Sequence, residues 1–237
     1  MAVRATDQAI TNIKELISSG EFTAGSRLPT ERELTERFGV SRSSLREAVR
    51  ALALVGVLES RVGDGTYVTT LEPDLLLTGI GFVSDLVEAG SLLEIHQVRR
   101  ILEPAATRLA TPLLTEDGLV ELGACLERME TADGVSAFIE ADTAFHRVIL
   151  DACGNVALAS LIQNLSSGTL RARLWQSVAA KGAVEATLAS HRNIYKALVA
   201  RDPDLAAAAD MMHLAIAEEW LRRFVDESAD GASPEDD

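Results

Sequence analysis

Aromatic side chains are scarce in this 237-residue chain: six Phe, two Trp and two Tyr make up 4% of it. The apolar content is carried instead by aliphatic residues, which suits packed helices. Cysteine is scarcer still. Cys125 and Cys153 both sit inside helical patterns, so a disulfide framework is not expected and both read as buried free thiols. No apolar run is long enough to span a bilayer, which excludes a membrane-spanning reading. The N-terminus lacks the apolar core of a secretory signal, so a cytoplasmic location is expected. No internal repeat of fixed period is present. The length allows one small and one medium domain.

Positive charge is also lacking, since the formal net charge is −14. That balance argues against loose attraction to any polyanion. It is unevenly distributed. Residues 1–70 hold nine Lys/Arg and nine Asp/Glu, so they balance, and the remainder carries the whole −14. A local arginine face in the first third is compatible with this division. Any binding of nucleic acid there should depend on a shaped contact, best made by a dimer, and not on bulk attraction.

The stretch from Leu28 to Val68 reads LPTERELTERFGVSRSSLREAVRALALVGVLESRVGDGTYV. Thr30 and Glu33 have the spacing of a capping box, Leu34 and Phe38 share one helical face, and Gly39 suits the left-handed angle that ends a helix. Ser41 is placed to cap a second helix. Its apolar stripe is Leu45, Ala48, Val49, Leu52 and Val55, and Gly56 ends it. Arg42, Ser43, Ser44, Arg46 and Arg50 cluster on the polar side, towards its N-terminal half. In a helix-turn-helix the second helix enters the major groove by that end, where hydroxyls and guanidinium forks read phosphates and base edges. Val57–Arg61 and Thr66–Thr70 alternate as strands around a Gly63-Asp64-Gly65 turn, which predicts a two-stranded wing. An earlier helix is expected over Asp7–Ser19, capped by Thr6, followed by a loop over Ser19–Arg27.

This segment closely resembles the winged helix-turn-helix of the GntR family of bacterial transcription regulators. By that resemblance Arg32, Arg42 and Arg46 match DNA-contacting arginines. Ser41, Ser43 and Ser44 match hydroxyl contacts to phosphate or base edges, and Gly63 and Gly65 match the wing that reaches into the minor groove. The all-helical remainder points to the FadR subgroup, with an FCD-type effector domain. The expected fold is therefore mostly α: a winged helix-turn-helix of three helices and a two-stranded wing, then an all-helical bundle. The expected boundaries are residues 1–70 for the DNA-binding domain, 71–73 for a linker, 74–228 for the effector, metal-binding and dimerisation domain, and 229–237 for a disordered acidic tail. Helices are expected over Asp74–Glu88, Ser91–Thr111, Thr115–Thr131, Val135–Cys153, Asn155–Ala179, Val184–Arg201 and Asp204–Ser228.

The chain has only four histidines, and three fall on inward faces of late helices. Asp142 and His146 lie one turn apart beside Phe138, Phe145 and Ile149. His191 and His213 each stand eleven residues from Asp202, where a turn would set them opposite each other. One carboxylate and three imidazoles suit a divalent ion, Zn²⁺ first, with Ni²⁺, Mn²⁺ or Fe²⁺ as alternatives. ADTAFHRVILDACGNVAL, ASHRNIYKALVARD and MMHLAIAEEW resemble the metal-binding segments of FCD proteins, which implies that Asp142, His146, His191 and His213 are ligands. His96 is not counted among them. Arg99, in EIHQVRRILEP, resembles the arginine of the family's E-x-R segment and is the candidate grip for an effector carboxylate. Trp175, in LRARLWQSV, reads as a pocket wall, a core residue or a dimer contact.

The expected protein is a homodimeric regulator, a repressor by the habit of its relatives. It would hold a pseudo-palindromic double-stranded operator and respond to a small hydroxy or sugar acid bound at the metal. One alternative is a sensor whose effector is the metal itself. The other is a metal-dependent hydrolase, which is disfavoured because no acid–base residue accompanies the ligands: Glu140 faces elsewhere on its helix.

Overall fold

A 17-residue helix, α1 (Ala2–Ser18), opens the computed structural model, which describes residues 2–73, 75, 89–166 and 183–230. The chain divides into two compact units, Met1–Gly79 and Ile80–Asp237. In the first, α1 is followed by α2 (Glu31–Phe38), α3 (Arg42–Leu54), β1 (Leu58–Arg61) and β2 (Gly65–Val68). The helix α1 starts earlier than its expected Asp7, because nothing in Ala2–Thr6 breaks a helix. Thr6 is therefore not a cap. It lies inside α1 and donates from Oγ1 to Glu47 Oε2 on α3 at 2.9 Å.

Local chemistry sets the α2–α3 junction. Thr30 and Glu33 form both halves of a capping box, and Gly39 takes φ 66° at the end of α2. Ser41 then caps α3 by accepting from the Ser44 backbone. Ile13, Leu34, Leu45, Ala48 and Leu58 are buried together and form the core that binds α1, α2, α3 and the wing.

The wing pairs antiparallel, with Leu58 opposite Val68 and Arg61 opposite Gly65. Its turn is Val62-Gly63-Asp64, one residue earlier than expected, because Gly65 is drawn into the ladder and Gly63 supplies the positive φ of 76°. The supposed loop before Leu28 also joins the sheet. Leu28 donates to Thr66 O at 2.8 Å, and Val68 donates to Ser26 O at 2.9 Å. The second edge of β2 is thereby covered by the chain that enters α2.

In the second unit the described helices are α4 (Ala89–Ala110), α5 (Glu116–Glu130), α6 (Val135–Ala152), α7 (Val156–Leu165), α8 (Ala183–Val199) and α9 (Pro203–Asp230). Thr115 caps α5 and Asn155 caps α7, each side chain accepting a backbone N–H. The helix α4 packs along α9, α8 along α9, and α5 along α6. Leu122, Phe145, Ile162, Ile194 and Leu198 are at the centre of the core. Cys125 and Cys153 are buried and unpaired. None of the described helices is long and apolar enough to cross a membrane.

The α8–α9 turn is held from outside. Arg201 takes φ 56° there, a left-handed angle unusual for a residue with a side chain. Its guanidinium donates to the Thr111 and Leu114 carbonyls, which lie between α4 and α5, and to Glu116. Asp202 Oδ1 accepts from the Asp204 and Leu205 backbones, which starts α9. The helix expected over Asp74–Glu88, the part of Asn155–Ala179 beyond Ser166, and most of the expected tail lie outside the described residues.

Candidate metal centre and nucleic-acid interface

Helical spacing brings Asp142 and His146 to the buried side of α6, where Phe138, Ala141, Phe145 and Ile149 are also buried. The α8–α9 hairpin supplies the facing side. His191 and His213 have ring centroids 4.3 Å apart. The ligand atoms of His146, His191 and His213 all lie within 4.8 Å of one another. Asp142 Oδ1 lies 3.0 Å from His191 Nε2 and 3.8 Å from His146 Nε2. Three imidazoles from three helices thus converge, Asp142 stands beside two of them, and all four residues are buried.

Hydrogen bonds behind the rings decide which atoms face inward. His191 Nδ1 lies 2.9 Å from the Thr187 carbonyl, which can only accept, so Nδ1 carries the proton. Ser190 donates its single hydroxyl proton to the same carbonyl at 2.7 Å. Its oxygen, 2.9 Å from His213 Nδ1, must then accept from that ring. In each ring Nε2 is then the nitrogen left to bind a cation. His213 is held neutral: burial first, then the neighbouring His191 and His146, keep its pKa well below the ordinary value.

His191 Nε2 stands beside both Asp142 Oδ1 and, 3.2 Å away, His146 Nε2. Acceptors facing acceptors repel unless a proton or a cation stands between them. Among the described residues, Glu103, Asp142 and Asp210 are buried carboxyl groups and Arg99 is a buried guanidinium. Burial first, then Glu103, raises the Asp210 pKa to about 7. A divalent ion fits this donor set in ligand type, number and charge.

Arg99 is in the same interior but is not a free cation. Its Nε donates to Glu103 Oε1 at 2.5 Å, with both side chains nearly inaccessible to solvent. Beside it, Glu103, Thr107, His146, Ile149, Ile162 and Asp210 line a cavity of about 10 Å³. Thr107 donates to Asp210 Oδ2 at 2.8 Å, and Glu103, His146 and Asp210 also converge. The sequence reading missed Glu103, Thr107 and Asp210. Arg99, Glu103 and Thr107 are each four apart, a polar stripe on one face of α4 that helical spacing does carry. His96 stands apart. Its Nε2 donates to the Leu214 carbonyl at 2.8 Å, and burial, then Arg99, lowers its pKa to about 4. Trp175 lies outside the described residues.

In the first unit, Arg32, Arg42, Ser43 and Arg46 are exposed. Ser41 is engaged as the cap of α3. Ser44 departs from the expectation of an outward hydroxyl. It is buried, and its oxygen accepts from the Ser41 hydroxyl at 3.0 Å. The reason is its register, one turn before Ala48 on the side of α3 that meets the core. Arg46 Nε lies 3.0 and 2.9 Å from the two Glu31 carboxylate oxygens. Arg27, absent from the sequence reading, donates to the Asp64 carbonyl in the wing turn. A Cβ at Gly65 would stand 2.7 Å from Arg27 Nε, so Gly65 is what lets that side chain reach the turn.

Comparisons with known proteins agree with both halves of this architecture. Residues 5–68 match the family described as bacterial regulatory proteins, gntR family, and residues 94–216 match the FCD domain. The chain is 30% identical over 219 residues to the HTH-type transcriptional regulator LutR of Bacillus subtilis, spanning 90% of this chain and 99% of that protein. It is 30% identical over 214 residues to the HTH-type transcriptional repressor NanR of Klebsiella aerogenes, spanning 85% of this chain and 79% of that protein. Among solved structures, Streptococcus agalactiae GntR aligns at 30% identity with a TM-score of 0.59, covering 90% of this chain and 99% of that one. E. coli McbR/YncC shares the fold, at 22% identity and a TM-score of 0.51 over 95% of this chain and 98% of that one.

Proposed function

The chain belongs to the GntR family of bacterial regulatory proteins, FadR subgroup, with an FCD domain, and from this premise we infer that it is a homodimeric, metal-containing repressor released by a small organic acid. It is a DNA-binding transcription regulator, and its relatives are regulators, not enzymes. The repressor sign is supported by relatives named as repressors.

In this reading the exposed Arg32, Arg42, Ser43 and Arg46 meet the operator, with Ser41 at the helix start. Gly63 and Gly65 let the wing backbone approach the minor groove. Two such heads hold the half-sites of a pseudo-palindrome. Asp142, His146, His191 and His213 hold the divalent ion, Zn²⁺ first by its preference for imidazole and carboxylate. The ion supplies a Lewis-acid position for an acid's oxygen. Arg99 pairs with the acid's carboxylate in exchange for Glu103. The observation that carries the metal reading is the pair of fixed tautomers. Thr187 and Ser190 hold the Nδ1 protons of His191 and His213, which leaves Nε2 of each ring as the nitrogen that can bind an ion.

Among the described residues, one observation favours the metal-sensing alternative. Arg99 is already paired, and the adjoining cavity of about 10 Å³ is no larger than the least a single water needs. A panel of hydroxy, sugar and dicarboxylic acids in a thermal-shift assay separates the two readings. It is run on metal-loaded protein and again after chelation. An acid that stabilises the loaded protein by about 2.7 kcal/mol at a hundredfold excess over its Kd, and not the chelated one, supports the acid reading. No acid response, with operator binding that follows metal concentration, supports the sensor. Operator binding indifferent to both overturns the metal-linked regulation.

A further inference from the structure

The inner side of α4 faces α9 and carries the buried Leu92, His96, Arg99, Glu103 and Ala106. Its outer side is exposed and patterned. Glu94, Val98, Ile101, Ala105, Arg108 and Leu109 are all exposed, and at 100° per residue they fall within an arc of about 100°. Val98 is 42%, Ile101 73% and Leu109 45% accessible. An apolar stripe of that width is what a helix normally buries against a neighbour. Among the described residues nothing covers it.

The order of charge along the stripe selects the occupant. Glu94 stands at the N-terminal end, Arg108 at the C-terminal end, and Ile101 midway between them. The two charges are about 21 Å apart along the axis, at 1.5 Å per residue. A second copy of α4 laid antiparallel, with its Ile101 against this one, brings Glu94 of each copy to Arg108 of the other. Apolar residues then meet apolar residues in between. An isologous pair needs one patch complementary to itself under a two-fold rotation, and this patch is. Parallel pairing would set Glu94 on Glu94 and Arg108 on Arg108. Arg108 already pairs with Asp204, a contact with 56% and 79% accessible side chains. A pair so exposed is weak, so Arg108 can be shared.

We propose that the outer face of α4, centred on Ile101 and closed by Glu94 and Arg108, is the surface through which two copies of this chain associate antiparallel. This rests on the homodimer named above and gives it a surface.

Sedimentation equilibrium of the full chain over a range of concentrations tests it. Wild type is expected to be a dimer. Ile101→Asp sets two like charges against each other on the two-fold axis and should weaken the dimer at least about 100-fold. Glu94→Arg alone and Arg108→Glu alone should each weaken it about tenfold, and the E94R/R108E double variant should return to within about threefold of wild type. Asp204→Ala, which removes only the internal partner of Arg108, should leave the dimer unchanged. A wild-type dimer that Ile101→Asp does not weaken, or single charge variants that the double does not rescue, overturns the α4 surface and leaves the dimer standing. A wild type that is monomeric, free and on operator DNA, overturns the dimer and the surface with it. If Ile101→Asp fails to fold by circular dichroism, the charge exchange decides alone.

Discussion

Ser190 fixes the proton of His213: its hydroxyl oxygen lies 2.9 Å from His213 Nδ1 while its own proton is donated to Thr187 O. Ser190→Ala removes the acceptor that holds the proton on Nδ1, and with it the orientation of the ring. Metal affinity should fall about 10–100-fold, as for other groups that orient a ligand from behind. Competition against a chromophoric chelator measures it. Unchanged affinity would mean that His213 is not held to the ion through Nε2.

The metal-free protein should lose stability as pH falls from about 6.5 towards 4. His96, held at about 4, and His213, held well below its usual value, take up protons in the unfolded chain before they do so in the folded one. Their contribution is present above the unfolded value and is lost as pH falls through it. Asp210 acts the other way. Its folded pKa of about 7 stands above the ordinary 3.8, so its contribution fades as pH rises between those values. Among these three groups the two histidines outweigh the one carboxyl, so stability should rise with pH across the window. Urea unfolding of chelated protein across that window measures it, and Asp210→Asn should make the slope steeper. A slope of opposite sign would show that the carboxyl outweighs the histidines.

Glu31 occupies the guanidinium of Arg46 on the proposed DNA face. Arg42→Ala should cost about 1–3 kcal/mol of specific operator binding. Arg46→Ala should cost less, because Arg46 must give up its ion pair with Glu31 before it can reach the DNA, so its net contribution is smaller. Glu31→Gln should strengthen binding and steepen its dependence on salt, since one more cation is then available to displace counterions. Fluorescence anisotropy with labelled operator over a salt series reads all three.

Gly65→Ala should destabilise the first unit by about 1–3 kcal/mol and weaken operator binding further. The added Cβ meets Arg27 Nε at 2.7 Å, at a φ of 150°. Arg27→Ala in the same background should recover part of the lost stability by removing the obstruction. If Gly65→Ala melts with wild type, Arg27 does not hold the wing turn.

What was legible in the sequence is what short-range chemistry decides. Thr30, Glu33, Gly39 and Ser41 each act within four residues of themselves, so caps and turn could be placed without the fold. The meeting of His191 with His213 was legible because a hairpin converts equal spacing into proximity. Ser44 misled because residue type was read ahead of register. Its hydroxyl suggested DNA, while its place one turn before Ala48 turned it inward. The strand pairing of Ser26–Leu28 with β2 and the burial of Glu103 with Asp210 depend on partners about 40 and 107 positions away. Such partners leave no periodic trace in one chain. The polar stripe of Arg99, Glu103 and Thr107 does leave one: an inward-facing Arg99 carries Glu103 and Thr107, four and eight positions on, to the same side of its helix.

Surface turns generally accept added or missing residues. The α8–α9 turn should not. His191 and His213 sit eleven positions to either side of Asp202, on arms about 16 Å long, so one residue inserted anywhere between them rotates the far histidine by about 100°. Arg201 removes the remaining slack, because its side chain is anchored at Thr111, Leu114 and Glu116 and cannot slide with the chain. This turn is the wrong place for a tag, a linker or a circular permutation, and its length is as much a part of the site as the imidazoles.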